Sequence, residues 1–323
     1  PRRDLGASGI RVPPVGIGTW AIGGTWWGGT EEPASIAAIR TALDAGIDLI
    51  DTAPVYGYGL AEEIVGKAIR GVRRDRVIIA TKVGLDWNST EGRFFFELWG
   101  RKVFRNLRPA SIRMEVEQSL RRLRIDCIDV CQTHWQDPST PIADTMAELL
   151  RLREAGKIRA IGVSNATPAQ MSEYLAAGPL ASNQTLLSML DRTAEAVEIP
   201  FCRGRGVAVL AYSPLALGLL TGRITPNREF PEGDQRRNHP RFTAIGISRV
   251  NAMLVRFAPF REKYGLDQTQ LAIAWTASRP GVTTALVGVR NADQAAALAP
   301  AASVRLAPDD LAAMDRIIVE AGF

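Results

Sequence analysis

Short apolar runs alternate with longer amphipathic stretches along almost the whole chain, and in each unit the apolar run comes first. The runs predict strands at Val15–Thr19, Asp48–Asp51, Val77–Lys82, Cys127–His134, Ala160–Val163, Ser182–Gln184, Val207–Tyr212 and Thr284–Val287. The stretches between them predict helices at Ser35–Ala45, Ala61–Arg70, Ser111–Leu123, Ile142–Glu154, Pro168–Ala176, Glu195–Arg203, Thr269–Ser278 and Ala292–Leu298. Ser35, Ser111 and Thr167 stand at or beside helix starts and are candidate caps. Repeated strand–helix units in this number predict an α/β fold, a closed (β/α)8 TIM barrel rather than an open sheet.

The turn-like Gly6-Ala7-Ser8-Gly9 adds a small N-terminal β-hairpin. Two connections are long: Val83–Ala110, rich in Trp and Phe, and Ser213–Ser248, with Pro, Gly and Arg. In a barrel both follow strands, so both lie at the C-terminal face, where active sites form. No internal repeat, low-complexity segment or linker divides the chain, and the expectation is one domain over residues 1–323.

Composition narrows the function classes. With 46% hydrophobic and 23% charged residues in 323, the chain buries a large core and lacks the profile of disorder. The net charge of +5 gives a mild positive field that draws anionic ligands toward a cleft. The basic clusters Arg121, Arg122, Arg124 and Arg236, Arg237 are short and read as solvated faces, so no nucleic acid is expected. Three cysteines, Cys127, Cys131 and Cys202, fit neither a disulfide framework nor a zinc site. The only histidines are His134 and His239, too few for a multi-histidine metal hydrolase, and His239 lies in a loop context. The uncharged stretch Gly206–Gly222 holds Pro214 and Gly218 and reads as a strand and a loop, not a membrane span. Pro1–Leu5 has no apolar signal-peptide core, and the expected location is the cytoplasm, as a monomer or weak homo-oligomer.

Four polar residues sit at predicted strand ends on one face: Asp51, Tyr56 just beyond it, Lys82 and His134. Converging from neighbouring strands, they form an acid catalyst. A tyrosine, with an ordinary pKa near ~10, needs an adjacent ammonium to stabilise its phenolate and lower that pKa, and Lys82 supplies one. A buried lysine stays charged only when paired, which gives Asp51 its role, while His134 orients a carbonyl or shares its proton.

These residues resemble the aldo-keto reductase superfamily over essentially the whole chain, in the branch similar to potassium-channel β-subunits and bacterial reductases. Gly46–Gly57 is similar to the family's first motif, Lys82 after Ala80-Thr81 and His134 in Gln132-Thr133-His134 match the rest of its tetrad, and Gly162-Val163-Ser164-Asn165 follows. The resemblance implies hydride transfer from NADPH to an aldehyde or ketone, with Tyr56 protonating the oxygen. It also implies a cofactor site. Ser164, Asn165 and Gln184 match residues that bond the carboxamide, and Tyr212, in Ala211-Tyr212-Ser213-Pro214-Leu215, matches the ring that stacks on the nicotinamide. Thr19, Trp20, Asp51, Ser213, Pro214 and Leu215 are further contacts, and Leu217–Arg223 resembles a pyrophosphate-covering loop through Gly218, Leu220, Gly222 and Arg223. Gly288, Arg290 and Gln294 match the adenosine-phosphate end, with Arg290 on a 2′-phosphate; at Leu298 relatives commonly have an asparagine, so one adenine contact is lost. No G-x-G-x-x-G follows the first strand, and no Rossmann domain is expected.

Trp20, Trp26, Trp27, Trp87, Trp99 and Trp135, with Phe94, Phe95 and Phe96, follow predicted strands one, three or four and are candidates for an apolar substrate wall. They favour a bulky or apolar carbonyl. Two rival readings remain: an NADP-dependent secondary-alcohol dehydrogenase running oxidatively, and a cofactor-binding regulatory subunit.

Overall fold

Strands buried on both faces read as continuous apolar runs, and such runs close into a parallel barrel in the computed structural model, which describes residues 1–323. Its strands are β1 (Val15–Gly18), β2 (Leu49–Asp51), β3 (Ile78–Val83), β4 (Ile128–Thr133), β5 (Ile158–Ser164), β6 (Ser182–Leu186), β7 (Ala208–Tyr212) and β8 (Thr284–Gly288). Each pairs with its neighbours in sequence, and β8 closes the ring on β1 with Gly288 opposite Gly18. Every expected barrel strand is present.

Alternation along the strands sorts residues into layers. Leu49, Ile78, Ala80, Val130, Ala160, Ala208, Leu210 and Leu286 form one apolar cluster inside the ring, while Ile17, Ile50, Ile79, Cys131, Val163, Val209 and Val287 pack into a larger cluster with the helices. Two residues further along from Leu49, Ala80, Val130 and Ser182, the same inward phase delivers Asp51, Lys82, Gln132 and Gln184, all buried. The period of the pleat thus stacks a polar layer on an apolar one at the C-terminal end. At the other end Arg3–Asp4 pairs with Arg11–Val12 as the expected hairpin, and its Leu5, Ile10 and Val12 join the interior cluster and seal the barrel floor.

The helices are α1 (Glu32–Asp44), α2 (Leu60–Ala68), α3 (Pro109–Leu123), α4 (Ile142–Glu154), α5 (Pro168–Ala177), α6 (Glu198–Arg205), α7 (Ala244–Val255), α8 (Ala258–Tyr264), α9 (Gln268–Ser278), α10 (Ala292–Ala296), α11 (Leu298–Ser303) and α12 (Pro308–Glu320). Of the expected caps only Thr167 is one, in a capping box with Gln170. Ser35 and Ser111 lie buried inside α1 and α3, whose starts are set instead by Pro33 and Pro109, prolines pre-shaped for the first turn. The stretch from Glu195 divides into a 3-10 turn, Thr193–Glu195, and α6.

Both long connections carry structure that the sequence pattern did not reveal. The first forms an antiparallel sheet of Leu85–Asp86, Arg93–Leu98 and Arg101–Arg105. The second contains a 3-10 segment, Ala216–Thr221, a turn at Pro240–Phe242 and the start of α7, and it runs on through α7 and α8 to the barrel helix α9. The uncharged stretch is β7 and that 3-10 segment, and no helix is long and apolar enough to cross a membrane.

Behind β3, Glu115 of α3 accepts the Gly84 N–H with both carboxylate oxygens, at 3.0 and 3.1 Å. Burial, with the charges of Asp86 and Glu62, raises its pKa from the ordinary 4.5 to about 8. The folded chain therefore holds a proton here that the unfolded chain releases, so stability falls as pH rises between these two values, by at most roughly 4–5 kcal/mol. Glu115→Gln should raise the thermal midpoint relative to the parent at pH 8.5 and leave it unchanged near pH 4.5. Equal midpoints at both pH values would show that Glu115 is not protonated in the fold.

Candidate active site

The polar layer is organised around Asp51. Its Oδ2 accepts Lys82 Nζ at 2.7 Å, and its Oδ1 accepts Gln184 Nε2 at 2.7 Å and Gln132 Nε2 at 3.2 Å. Lys82 also donates to the Thr52 carbonyl at 3.0 Å and to Tyr56 Oη at 3.3 Å. Burial disfavours the Lys82 ammonium, but Asp51 and Tyr56 together outweigh it and hold its pKa above the usual lysine value. His134 continues the ladder beyond β4, its N–H on the Val83 carbonyl at 2.9 Å, and its ring meets Tyr56 edge-on with centroids 5.7 Å apart. Burial and the Lys82 charge push the His134 pKa well below its ordinary range, so the imidazole is neutral.

Tyr56 corrects one expectation. Loss of water around its hydroxyl, with the Asp51 charge, outweighs the opposing Lys82 ammonium, so its pKa is raised rather than lowered. The resting group is a phenol that keeps its proton while a cation stands ready to stabilise the phenolate. The four candidate catalytic residues are all brought together.

A glycine contact places Tyr56. A Cβ on Gly23, in the 3-10 turn Ala21–Gly23, would fall 2.6 Å from the Tyr56 carbonyl carbon, and one on Gly57 would fall 2.4 Å from the Gly23 oxygen. The loops after β1 and β2 touch backbone to backbone, which only glycine permits.

Beside the tetrad, Tyr212 Oη donates to Asn165 Oδ1 at 3.0 Å, and Asn165 Nδ2 donates to Ser164 Oγ at 3.1 Å and the His134 carbonyl at 3.3 Å. Burial pushes the Tyr212 hydroxyl up to about 12. Asn165, Ser213, Ala216 and Leu217 all have positive φ, a concentration of strained backbone at the ends of β5 and β7. A cleft of ≈ 400 Å³ opens here between Trp20, Ser213, Leu217, Gln235 and His239. The buried polar atoms Thr19 Oγ1, Trp27 Nε1 and Gln235 Nε2 find no partner within the chain. Unsatisfied buried donors, an aromatic ring at a strand end and a glycine-containing loop are the chemistry a nicotinamide dinucleotide needs, and the residues fit that group.

The outer cofactor candidates divide. Gly218 and Gly222 have φ of 97° and 70°, and Arg223 is exposed after them. Leu220 is buried in a second apolar cluster with Trp275, so its side chain packs rather than faces a ligand. Pro214 and Leu215 carry the chain from Ser213 into that 3-10 segment. Arg290 donates to the carbonyls of Trp27 and Gly29 at 3.2 and 2.7 Å, while its own N–H is held by Gln294 Oε1 at 2.8 Å. Gly288 leaves open space above β8. Leu298 is 2% exposed in the main core, a packing reason for an apolar residue there.

The aromatic residues form an arc. Tyr56 and Trp20 lie 6.5 Å apart, Trp20 and Trp26 6.3 Å, Trp26 and Phe96 5.1 Å, Phe96 and Phe95 5.3 Å, and Phe95 and Trp135 5.5 Å. Trp27 packs edge-on against Trp20 on the side of Arg290 and Arg236. Trp87 and Trp99 are not brought into the arc: both pack on Tyr58, and Trp99, at the hairpin tip, is 67% exposed. Phe94 also faces outward, against Phe104.

Sequence reading missed Gln132, although strand alternation places it inward beside Gln184. It also took Arg236 for a solvated residue. The guanidinium is instead half-buried, paired with Asp234 at 2.6 Å and stacked over Trp27; only Arg237 is exposed.

A closed parallel barrel with such a buried Asp–Lys–Tyr–His cluster at its mouth defines an oxidoreductase acting on carbonyl and alcohol groups. The chain belongs to the aldo/keto reductase family, whose model matches residues 14–319. It uses, as that family does, a nicotinamide cofactor. The aldo-keto reductase YhdN of Bacillus subtilis is 44% identical over 302 residues, 91% of this chain and 86% of its own. The NADH-specific methylglyoxal reductase of Escherichia coli is 39% identical over 315 residues, 96% of each chain. The glycerol dehydrogenase AKR11B4 from Gluconobacter oxydans has a similar structure, with a TM-score of 0.89 at 39% identity, covering 99% of this chain and 95% of its own. An aldo/keto reductase from Klebsiella pneumoniae, solved with NADP and acetate, gives 0.71 at 29%, covering 97% and 94%.

Gly23→Ala should push the Tyr56 segment outward and lower kcat/KM by roughly 100-fold, since displacements of about 1 Å cost that much in a positioned site. Near-parental turnover would show that the backbone contact does not place Tyr56.

Proposed function

We propose that the protein is an NADPH-dependent reductase of aldehydes or ketones, with Tyr56 as proton donor. The observation that carries this is the Lys82 ammonium held 2.7 Å from Asp51 and 3.3 Å from Tyr56 beside a neutral imidazole. The bound dinucleotide supplies the hydride. Tyr56 gives its proton to the oxygen as negative charge builds there, and Lys82 stabilises the phenolate left behind. Neutral His134 holds the carbonyl oxygen by a hydrogen bond without competing for the proton. Ser164, Asn165 and Gln184 orient the carboxamide, Tyr212 backs the ring, and the loop at Gly218, Gly222 and Arg223 covers the pyrophosphate. Arg290 would pair with the adenosine 2′-phosphate. The arc from Trp20 to Trp135 favours a bulky or apolar carbonyl lying flat against rings.

Oxidation of a secondary alcohol is the second reading, supported by the similarity to a glycerol dehydrogenase. In that direction Tyr56 would first lose its proton to give the phenolate that Lys82 stabilises, then accept the alcohol's hydroxyl proton while an oxidised dinucleotide took up the hydride.

Tyr56→Phe should lower kcat about 10²–10⁴-fold across a panel of carbonyls while leaving the Kd for NADP⁺ unchanged. Retained turnover would remove Tyr56 as the donor. Arg290→Ala should weaken NADP⁺ about tenfold and spare NAD⁺, measured by calorimetric titration, because only the former carries a 2′-phosphate for a charge-assisted bond there. Equal losses for both cofactors would move the phosphate elsewhere.

A further inference from the structure

Between the pyrophosphate-side loop and α7, on either side of Gln235, lie Asp234 and Arg236. The Asp234 side chain is 1% exposed. Its Oδ1 accepts Arg236 Nε at 2.9 Å and the Arg236 backbone N–H at 2.9 Å, and its Oδ2 accepts Arg236 Nη2 at 2.6 Å. Arg236 in turn stands over the Trp27 ring at 5.1 Å and the Phe230 ring at 4.6 Å, and a Cβ on Gly218 would lie 4.0 Å from its Nη1. Arg290 reaches the same tryptophan through the Trp27 carbonyl, at 3.2 Å. An open cleft of ≈ 490 Å³ adjoins, lined by Trp26, Glu232, Asp234, Gln235 and Arg237 among others.

Two guanidinium groups therefore converge on Trp27 at the end of the site where Arg290 lies, and one of them is already neutralised from within. Burial alone would raise the Asp234 pKa, but the bonds and charge of Arg236, with the charge of Arg290, hold its carboxyl below the usual range. A phosphate arriving here meets Arg236 with Nε and Nη2 committed to a carboxylate. Taking those donors would strand a buried anion, and leaving them sets two negative groups side by side.

We propose that Asp234 is a specificity-determining residue. It gives Arg236 and Arg290 the negative charge that a 2′-phosphate would otherwise supply, so the site accepts the dinucleotide that lacks this 2′-phosphate alongside the one that carries it. This rests on the reading that the adenosine end of the cofactor lies at Arg290, and it explains how a chain with that arginine can be similar to an NADH-specific relative.

The test is the ratio of Kd values for NADP⁺ and NAD⁺, measured by titration calorimetry without carbonyl substrate. Asp234→Asn keeps an acceptor for the Arg236 N–H and removes only the charge. It should tighten NADP⁺ relative to NAD⁺ about tenfold, through relief of like-charge repulsion and release of Arg236, and the gain should shrink at high salt. Adding Arg236→Met to that variant should abolish the gain. Both constants come from one preparation, so a loss of folded protein cancels in the ratio. An unchanged ratio in Asp234→Asn, or one moved toward NAD⁺, overturns the proposal. Arg290→Ala in the parent separates the two ideas: if it lowers NADP⁺ preference while Asp234→Asn does nothing, the phosphate reading stands and Asp234 has no part in specificity. If Arg290→Ala leaves the preference unchanged while Asp234→Asn raises it, the reading of Arg290 fails and Arg236 is the phosphate ligand.

Discussion

A buried ion pair is the constraint on which this barrel's mouth depends. Lys82 and Asp51 are 1% and 3% exposed, and the Lys82 ammonium keeps its charge in that surrounding because Asp51 faces it. Taking both ions out of water is costly, and the cost is offset only because each ion is met by three partners: two glutamine amides and the ammonium on Asp51, and the carboxylate, a carbonyl and a phenol on Lys82. These partners come from β2, β3, β4, β6 and the loop after β2. The pair thus works as a buckle across strands far apart in sequence, and removing either member would leave an uncompensated charge as well as an idle tyrosine.

Much of this was legible in the chain. Apolar runs located every barrel strand because both faces of a parallel barrel strand are buried, and Asp51, Lys82 and His134 stood out as polar residues ending such runs. The antiparallel sheet after β3 was not legible, since Arg93–Arg105 mixes aromatic and basic residues at a half-exposed edge where neither periodicity dominates. Ser35 and Ser111 misled because a serine near a helix start resembles a cap wherever it falls, while the prolines alongside set the start. Arg236 escaped because its significance lies in Asp234, Trp27 and Phe230, contacts that a string of charges does not display.

The site also concentrates strain where the fold is otherwise regular. Left-handed Asn165, Ser213, Ala216 and Leu217 all lie past strand ends, whereas the barrel below them is plain alternation. The lower layers supply the stability that tolerates these conformations, and the loops supply the shape. The mutual contact of Gly23 and Gly57 belongs to the same division, since it adds little cohesion but fixes where Tyr56 stands.

The plugged floor has a further consequence. With Leu5, Ile10 and Val12 beneath, and leucine, isoleucine, valine and alanine lining most of the ring under Asp51, the barrel is closed to solvent from below. The vessel is blind-ended. A proton spent at the tetrad can be restored only through the opening by which substrate enters and product leaves, so recharging the acid and exchanging the organic molecules compete for one doorway.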